Sequence, residues 1–111
     1  GGPIGDPNWF GITLDVQEFA ATIPQQFELG QNYPNPFNPL TKIRFALPTA
    51  SFVTLKVYNL LGQEVANLVN QNLTPGSYEV DFDASSLSTG MYFYRLESGN
   101  TFDVKKMMLL K

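Results

Sequence analysis

Apolar and polar residues take turns along most of this chain, and no long stretch repeats at helical spacing. Ile43, Phe45 and Leu47 alternate with Lys42, Arg44 and Ala46, the period-two signature of a half-buried strand. Val53, Leu55 and Val57 alternate with Thr54, Lys56 and Tyr58, and Tyr78, Val80 and Phe82 with Glu79, Asp81 and Asp83. Gly90 opens a further strand whose inward row is Tyr92, Tyr94 and Leu96, while Val65, Leu68 and Val69 carry a return strand. The last strand is expected over residues 101–110, with Phe102 and Val104 facing the core. Strict alternation then sends Lys106 inward as well, and an unpaired buried ammonium is costly. A bulge or a rim position resolves the conflict, with Lys105 pointing to solvent and Lys106 snorkelling to it. Charge on such a strand also discourages edge-to-edge aggregation.

The punctuation between these rows is that of a β protein. Asn59-Leu60-Leu61-Gly62 reads as a type I turn with Gly62 in the left-handed region. Thr74-Pro75-Gly76-Ser77 places proline and glycine at the central positions of a type II turn. Residues 84–89 read as a polar connection with one helical turn around Leu87, and Ser98-Gly99-Asn100 turns the chain into its last strand. Leu60 and Leu61 are expected to fold back on the end of the sandwich, or else to mark a contact patch. Near the start, residues 1–10 read as loop, Ile12, Leu14 and Val16 as a short strand, and Ala20-Ala21-Thr22-Ile23-Pro24 as an exposed connection. Residues 1–26 are therefore assigned to the tail of an upstream module and a linker, and 27–111 to the domain. The alternative adds the strand at 12–16 to the same sandwich.

Residues 31–40, Gln-Asn-Tyr-Pro-Asn-Pro-Phe-Asn-Pro-Leu, break the alternation. Pro34, Pro36 and Pro39 remove backbone donors and push Tyr33, Asn35 and Asn38 toward extended conformations. The segment is expected to form a rigid, polyproline-like arm at the domain edge, anchored by Tyr33 and Phe37.

Motif blocks spread along the chain carry, in this order, a family resemblance. The Asn32-Tyr33-Pro34-Asn35-Pro36-Phe37-Asn38-Pro39 opening precedes Thr41-Lys42-Ile43-Arg44-Phe45 and Leu47-Pro48. Val57-Tyr58-Asn59-Leu60-Leu61-Gly62-Gln63-Glu64-Val65 follows, then Gly90-Met91-Tyr92-Phe93-Tyr94-Arg95-Leu96 and Lys105-Lys106-Met107. Together they resemble the C-terminal sorting domain of type IX secretion cargo in Gram-negative bacteria, over residues 27–111. The opening is also similar to the immunoglobulin-like domain of flagellar hook-capping proteins. The resemblance implies an all-β, immunoglobulin-like antiparallel sandwich of about seven strands with an N-terminal proline-rich edge arm. It further implies a non-catalytic targeting domain behind a secreted cargo, passing through the periplasm to an outer-membrane translocon. A surface sortase would cut within residues 20–26, leaving a secreted or cell-surface product. Matched to the family's motifs, the candidate recognition residues are Gly90, Tyr92, Arg95, Lys105, Lys106 and Met107, with Tyr33, Pro34, Asn35, Pro36, Phe37 and Pro39 as the structural arm.

Composition narrows the chemistry. At 111 residues, 43% hydrophobic and 14% aromatic, the chain can bury one core. A net charge of −3 supplies no footprint for nucleic acid. No stretch approaches the length a membrane helix needs. With neither cysteine nor histidine, disulfides, thiolate metal sites and the commonest general base are all unavailable. Only carboxylates remain, and Glu79, Asp81 and Asp83 on one strand face read as solvated rather than as an acid/base pair or calcium site. Ser85, Ser86 and Ser88 lack a base partner. The expectation is no enzyme, no cofactor and no metal. The rival is a structural or carbohydrate-binding module using outward Tyr58 and Phe93, with Trp9 in a loop. Against it, Phe93 is expected to pack under the arm.

Overall fold

The computed structural model describes residues 23–111 and the backbone of 16–20. Eight strands follow in chain order: β1 (Val16–Ala20), β2 (Glu28–Leu29), β3 (Leu40–Leu47), β4 (Ser51–Tyr58), β5 (Glu64–Leu73), β6 (Gly76–Asp83), β7 (Gly90–Ser98) and β8 (Thr101–Leu109). They form two four-stranded antiparallel sheets, ordered β1-β6-β3-β2 and β5-β4-β7-β8. This is the expected immunoglobulin-like sandwich. The expected loop at 1–10, the strand residues 12–15 and connection residues 21 and 22 lie outside the described residues. Val16 does lie in a strand, and β1 pairs with β6 from Val16 opposite Val80 to Ala20 opposite Ser77.

The four inner strands place their side chains where alternation put them. Ile43, Phe45 and Leu47 from β3 and Tyr78, Val80 and Phe82 from β6 meet Val53, Leu55 and Val57 from β4 and Tyr92, Tyr94 and Leu96 from β7. Full burial of such a side chain contributes about 1.5–3 kcal/mol. Phe45 and Tyr78 stack across β3 and β6 with ring centroids 5.4 Å apart.

Two tyrosine hydroxyls tie the entry points of β6 and β7. Tyr78 Oη donates to the Thr74 carbonyl at 2.7 Å, and Tyr92 Oη donates to the Ser88 carbonyl at 2.7 Å. Each bond reaches four residues back, as in the tyrosine corner of sandwich domains.

The turn at Asn59 forms as expected. Gly62 has φ 84° and its N–H donates to the Asn59 carbonyl at 3.0 Å, while Asn59 Oδ1 accepts from the N–H groups of Leu61 and Gln63. β5 then departs from alternation because Leu68 and Val65 are extra residues opposite β4. Leu55 pairs with Val69 but Lys56 with Asn67, and Val57 pairs with Ala66 but Tyr58 with Glu64. The β7–β8 hairpin closes on Gly99 at φ 60°, with Ser98 opposite Thr101, the geometry of a type II′ turn.

Several expectations need correction. Thr74-Pro75 makes no type II turn: β5 and β6 belong to different sheets, so these residues cross between layers. Gly76, at φ 156°, already pairs with Leu47. Residues 84–87 form a single turn, Leu87 N–H to Ala84 carbonyl at 2.9 Å, rather than a helical turn.

β8 departs furthest from the expected arrangement. Its register against β7 is unbroken from Ser98–Thr101 to Gly90–Leu109, so there is no bulge. Asp103 and Lys105 lie opposite buried Leu96 and Tyr94 and therefore share the inward row with Met107 and Leu109. Phe102 (57% exposed), Val104 and Lys106 face outward. Lys106 reaches water directly, and Lys105 is the half-buried one. The facing edge strand β2 spans just two residues, too few to cover all of β8.

Candidate functional site

The proline-rich segment and β8 meet along one side of the sandwich. Phe37 N–H donates to the Met108 carbonyl at 3.0 Å, and Leu110 N–H donates to the Phe37 carbonyl at 2.9 Å. Asn35 Oδ1 accepts from Met108 N–H at 3.0 Å, and Gln31 Nε2 donates to the Lys106 carbonyl at 2.7 Å. On its other side the segment exchanges two backbone bonds with β3, between Tyr33 and Lys42. The arm thus straps the open side between the sheets. It is not polyproline-like: it bends at 34–36 and 38–39. Only one of the two expected anchors holds. Phe37 is 2% exposed, with its ring centroid 6.1 Å from that of Phe82, whereas Tyr33 is 80% exposed.

The second anchor is polar, and alternation gives no sign of it. Asn32 is buried. Its N–H donates to Tyr94 Oη at 2.8 Å, and its side-chain amide donates to Thr41 Oγ1 at 3.0 Å and the Pro34 carbonyl at 3.1 Å. Tyr94 Oη donates in turn to the Gly30 carbonyl at 2.7 Å. Burial pushes the Tyr94 phenol up to about 12. Buried Thr41, which donates to the Pro34 carbonyl at 2.9 Å, completes the network. Every partner of Asn32 is distant or in the arm, so only the folded chain shows why an asparagine belongs inside.

The candidate recognition residues fall into two groups. Tyr92 and Met107 are buried, Met107 to 1% exposure, so their side chains shape the core and offer nothing to a partner of the folded domain. Gly90 starts β7 opposite Leu109. Arg95 lies on the outer face, its guanidinium 4.1 Å from the Phe102 ring centroid and its Nε and Nη2 donating to Glu97 Oε2 at 2.9 and 2.7 Å. These bonds hold the Glu97 carboxyl below its usual range. Lys106 is exposed beside this group, opposite Phe93.

Phe93 does not pack under the arm. It pairs across strands with Tyr58, and both line a shallow groove of about 500 Å³ with Asn59, Arg95, Glu97 and Val104. Leu60 also lines the groove and Leu61 is 83% exposed, so neither leucine folds back on the sandwich.

On the opposite outer face, the carboxylates of β6 pair with β3. Lys42 Nζ lies 2.7 Å from Asp81 and 3.7 Å from Glu79, and Arg44 Nε lies 2.9 Å from Glu79. The Asp81 bond raises the Lys42 pKa, and the Ser85 hydroxyl lowers that of Asp83. Such pairs stand in water, which screens them, so they add little to stability. Among the described residues, no three acidic side chains gather as a metal site, and no helix is long and apolar enough to cross a membrane.

Fold and surface together describe a small β-sandwich module whose most elaborated feature is a strapped last strand. Residues 31–110 match the family described as the secretion system C-terminal sorting domain. The chain belongs to that family: it is a sorting signal for type IX secretion, a targeting unit whose role implies an attached cargo, a secretion machinery and a secreted or cell-surface product. No curated protein matches the chain.

Proposed function

We propose that the folded sandwich, residues 27–111, is a non-catalytic address read by the outer-membrane translocon of type IX secretion after the cargo has reached the periplasm. The observation that carries this reading is the family match over 31–110, which takes in the whole arm and β3 to β8. Arg95, Lys105 and Lys106 would present charge to the translocon. Gly90, Tyr92 and Met107 would act by setting β7 and β8, and the arm from Tyr33 to Pro39 by strapping them. Residues 1–26 would be the tail and linker of the upstream module, although β1 pairs with β6. A surface sortase would cut within 20–26, where Ile23, Gln25 and Gln26 are exposed.

Residues 27–111 fused behind a soluble periplasmic reporter should carry it outside a host that has this translocon. Retention in the periplasm would sink the proposal. One observation favours a second reading, a carbohydrate-binding module: Tyr58 and Phe93 share a groove with Asn59, Arg95 and Glu97. Tight polysaccharide binding by the isolated chain, without export of the reporter, would select it.

A further inference from the structure

A sheet edge is a row of unpaired N–H and C=O groups, open to another strand unless something blunts it. Among the described residues, two of the four edges are blunted, and a third, β1, is described over Val16–Ala20 alone. β2 has two residues. β8 is strapped by the arm over its second half and carries inward Asp103 and Lys105 over its first. β5 is different. It runs for ten residues, has no partner on its outer side among the described residues, and beyond Glu64 contains neither charge nor proline. Bulges at Val65 and Leu68 disturb its first half, but residues 69–73 pair with 51–55 in unbroken register.

That stretch reads Val-Asn-Gln-Asn-Leu, and its polarity is the same in both directions. Val69 and Leu73 are buried, Asn70 and Asn72 are exposed, and Gln71 is central. An antiparallel pairing of β5 with itself about a two-fold axis at Gln71 sets Val69 opposite Leu73 and Asn70 opposite Asn72 on both sides of the axis. Apolar inner positions then meet apolar ones, outer amides meet amides that both donate and accept, and no like charges face each other. We propose that a second copy of this chain docks on β5, joining two four-stranded sheets into one continuous sheet. Main-chain hydrogen bonds supply the attraction, and the inner/outer alternation sets the register. The contact is isologous and closes at two copies.

Sedimentation equilibrium of the 111-residue chain should show its mass rising with concentration from 12.4 kDa to twice that value. Asn70→Lys with Asn72→Lys puts lysine opposite lysine on both sides of the axis, and Asn70→Glu with Asn72→Glu does the same with glutamate. Each variant alone should self-associate about tenfold more weakly or worse, and an equimolar mixture of the two should recover the parent affinity as a heterodimer. Gln71→Cys, in a chain with no other cysteine, should cross-link into a disulfide dimer, while Asn67→Cys should not. A parent chain that stays monomeric up to millimolar concentration overturns the proposal. So does a dimer that neither charge pair weakens, or cross-linking that is equal at 67 and 71.

Discussion

Met107 and Leu109 are packed into the core, whereas Asp103 and Lys105, in the same inward row of the same strand, stay half-buried and charged. Both halves of β8 pair with β7 in one continuous register, so local backbone geometry does not separate them. What separates them is cover. Over the second half, Phe37 and the arm close the side of the sandwich, with Gln31 reaching the Lys106 carbonyl from 75 residues away in the chain. Over the first half, the facing edge offers, among the described residues, only the two residues of β2. An inward position becomes a core position only when the opposite layer reaches it. Where it does not, inward charge is tolerated and also guards the edge.

The largest effect should come from removing the cover. Phe37→Ala should cost about 3–5 kcal/mol and Met107→Ala about 2–5 kcal/mol, because each opens a cavity in a filled site. Val104→Ala, on the exposed face of the first half, should change stability by less than about 0.5 kcal/mol. Urea unfolding midpoints at constant m-value compare the three directly. Similar losses at positions 104 and 107 would break the distinction between the two halves.

Next in size is Tyr94→Phe, which leaves the Asn32 N–H and the Gly30 carbonyl without their buried partner, at a cost of about 1–3 kcal/mol. Its pH dependence sharpens the assignment. The phenol sits at about 12 in the fold against 10.0 ordinarily. Its contribution is complete below pH 10.0 and is lost as pH rises toward 12, because the unfolded chain ionises first. The stability gap between parent and Tyr94→Phe should therefore narrow over that window. A gap that stays constant would mean the phenol is not buried as described.

Sequence legibility follows the same logic of cover. β3, β4, β6 and β7 are the inner strands of their sheets, flanked on both sides, and their period-two rows identify the core side chain by side chain. The edge strands resist this reading. In β5, two bulges turn Val65, Leu68 and Val69 into an aperiodic row. In β8, Phe102 and Val104 look like core by composition, yet lie outward because the register is set by Met107 and Leu109. Asn32 is invisible for another reason. An asparagine beside prolines reads as a turn residue, and its burial depends on Tyr94 and Thr41, which no local pattern connects to it. The motif blocks from Asn32 to Met107 are legible as a family signature. Which of their residues are core and which surface is not, and Tyr92 and Met107 show how much of such a signature is architecture.

A smaller effect is expected at Phe102. Its ring lies under the Arg95 guanidinium at 4.1 Å on an open face, a contact worth about 0.5–1 kcal/mol at an exposed site. Phe102→Ala should cost no more than that in the same urea assay, and Phe102→Leu should lose the cation–π part while keeping most of the apolar cover. A loss as large as that of Met107→Ala would place Phe102 in the core after all.

The smallest stability effect, and the one with most to say about recognition, belongs to Lys106. It stands on the outer face opposite Phe93, exposed and outside the inward row, so Lys106→Glu should shift stability by less than about 0.5 kcal/mol. Lys105 is half-buried in the row that also holds Asp103. Lys105→Glu adds a second carboxylate on that face and should cost more, about 1 kcal/mol, the centre of the range for point substitutions. Thermal melting of each single variant, beside export of a fused reporter, separates the two lysines. If charge on β8 is what the translocon reads, Lys106→Glu should stop export from a domain that melts like the parent. Normal export of a folded Lys106→Glu variant would mean that the outer lysine only keeps the strand soluble, and would move the search for the recognition surface to Arg95 and the arm.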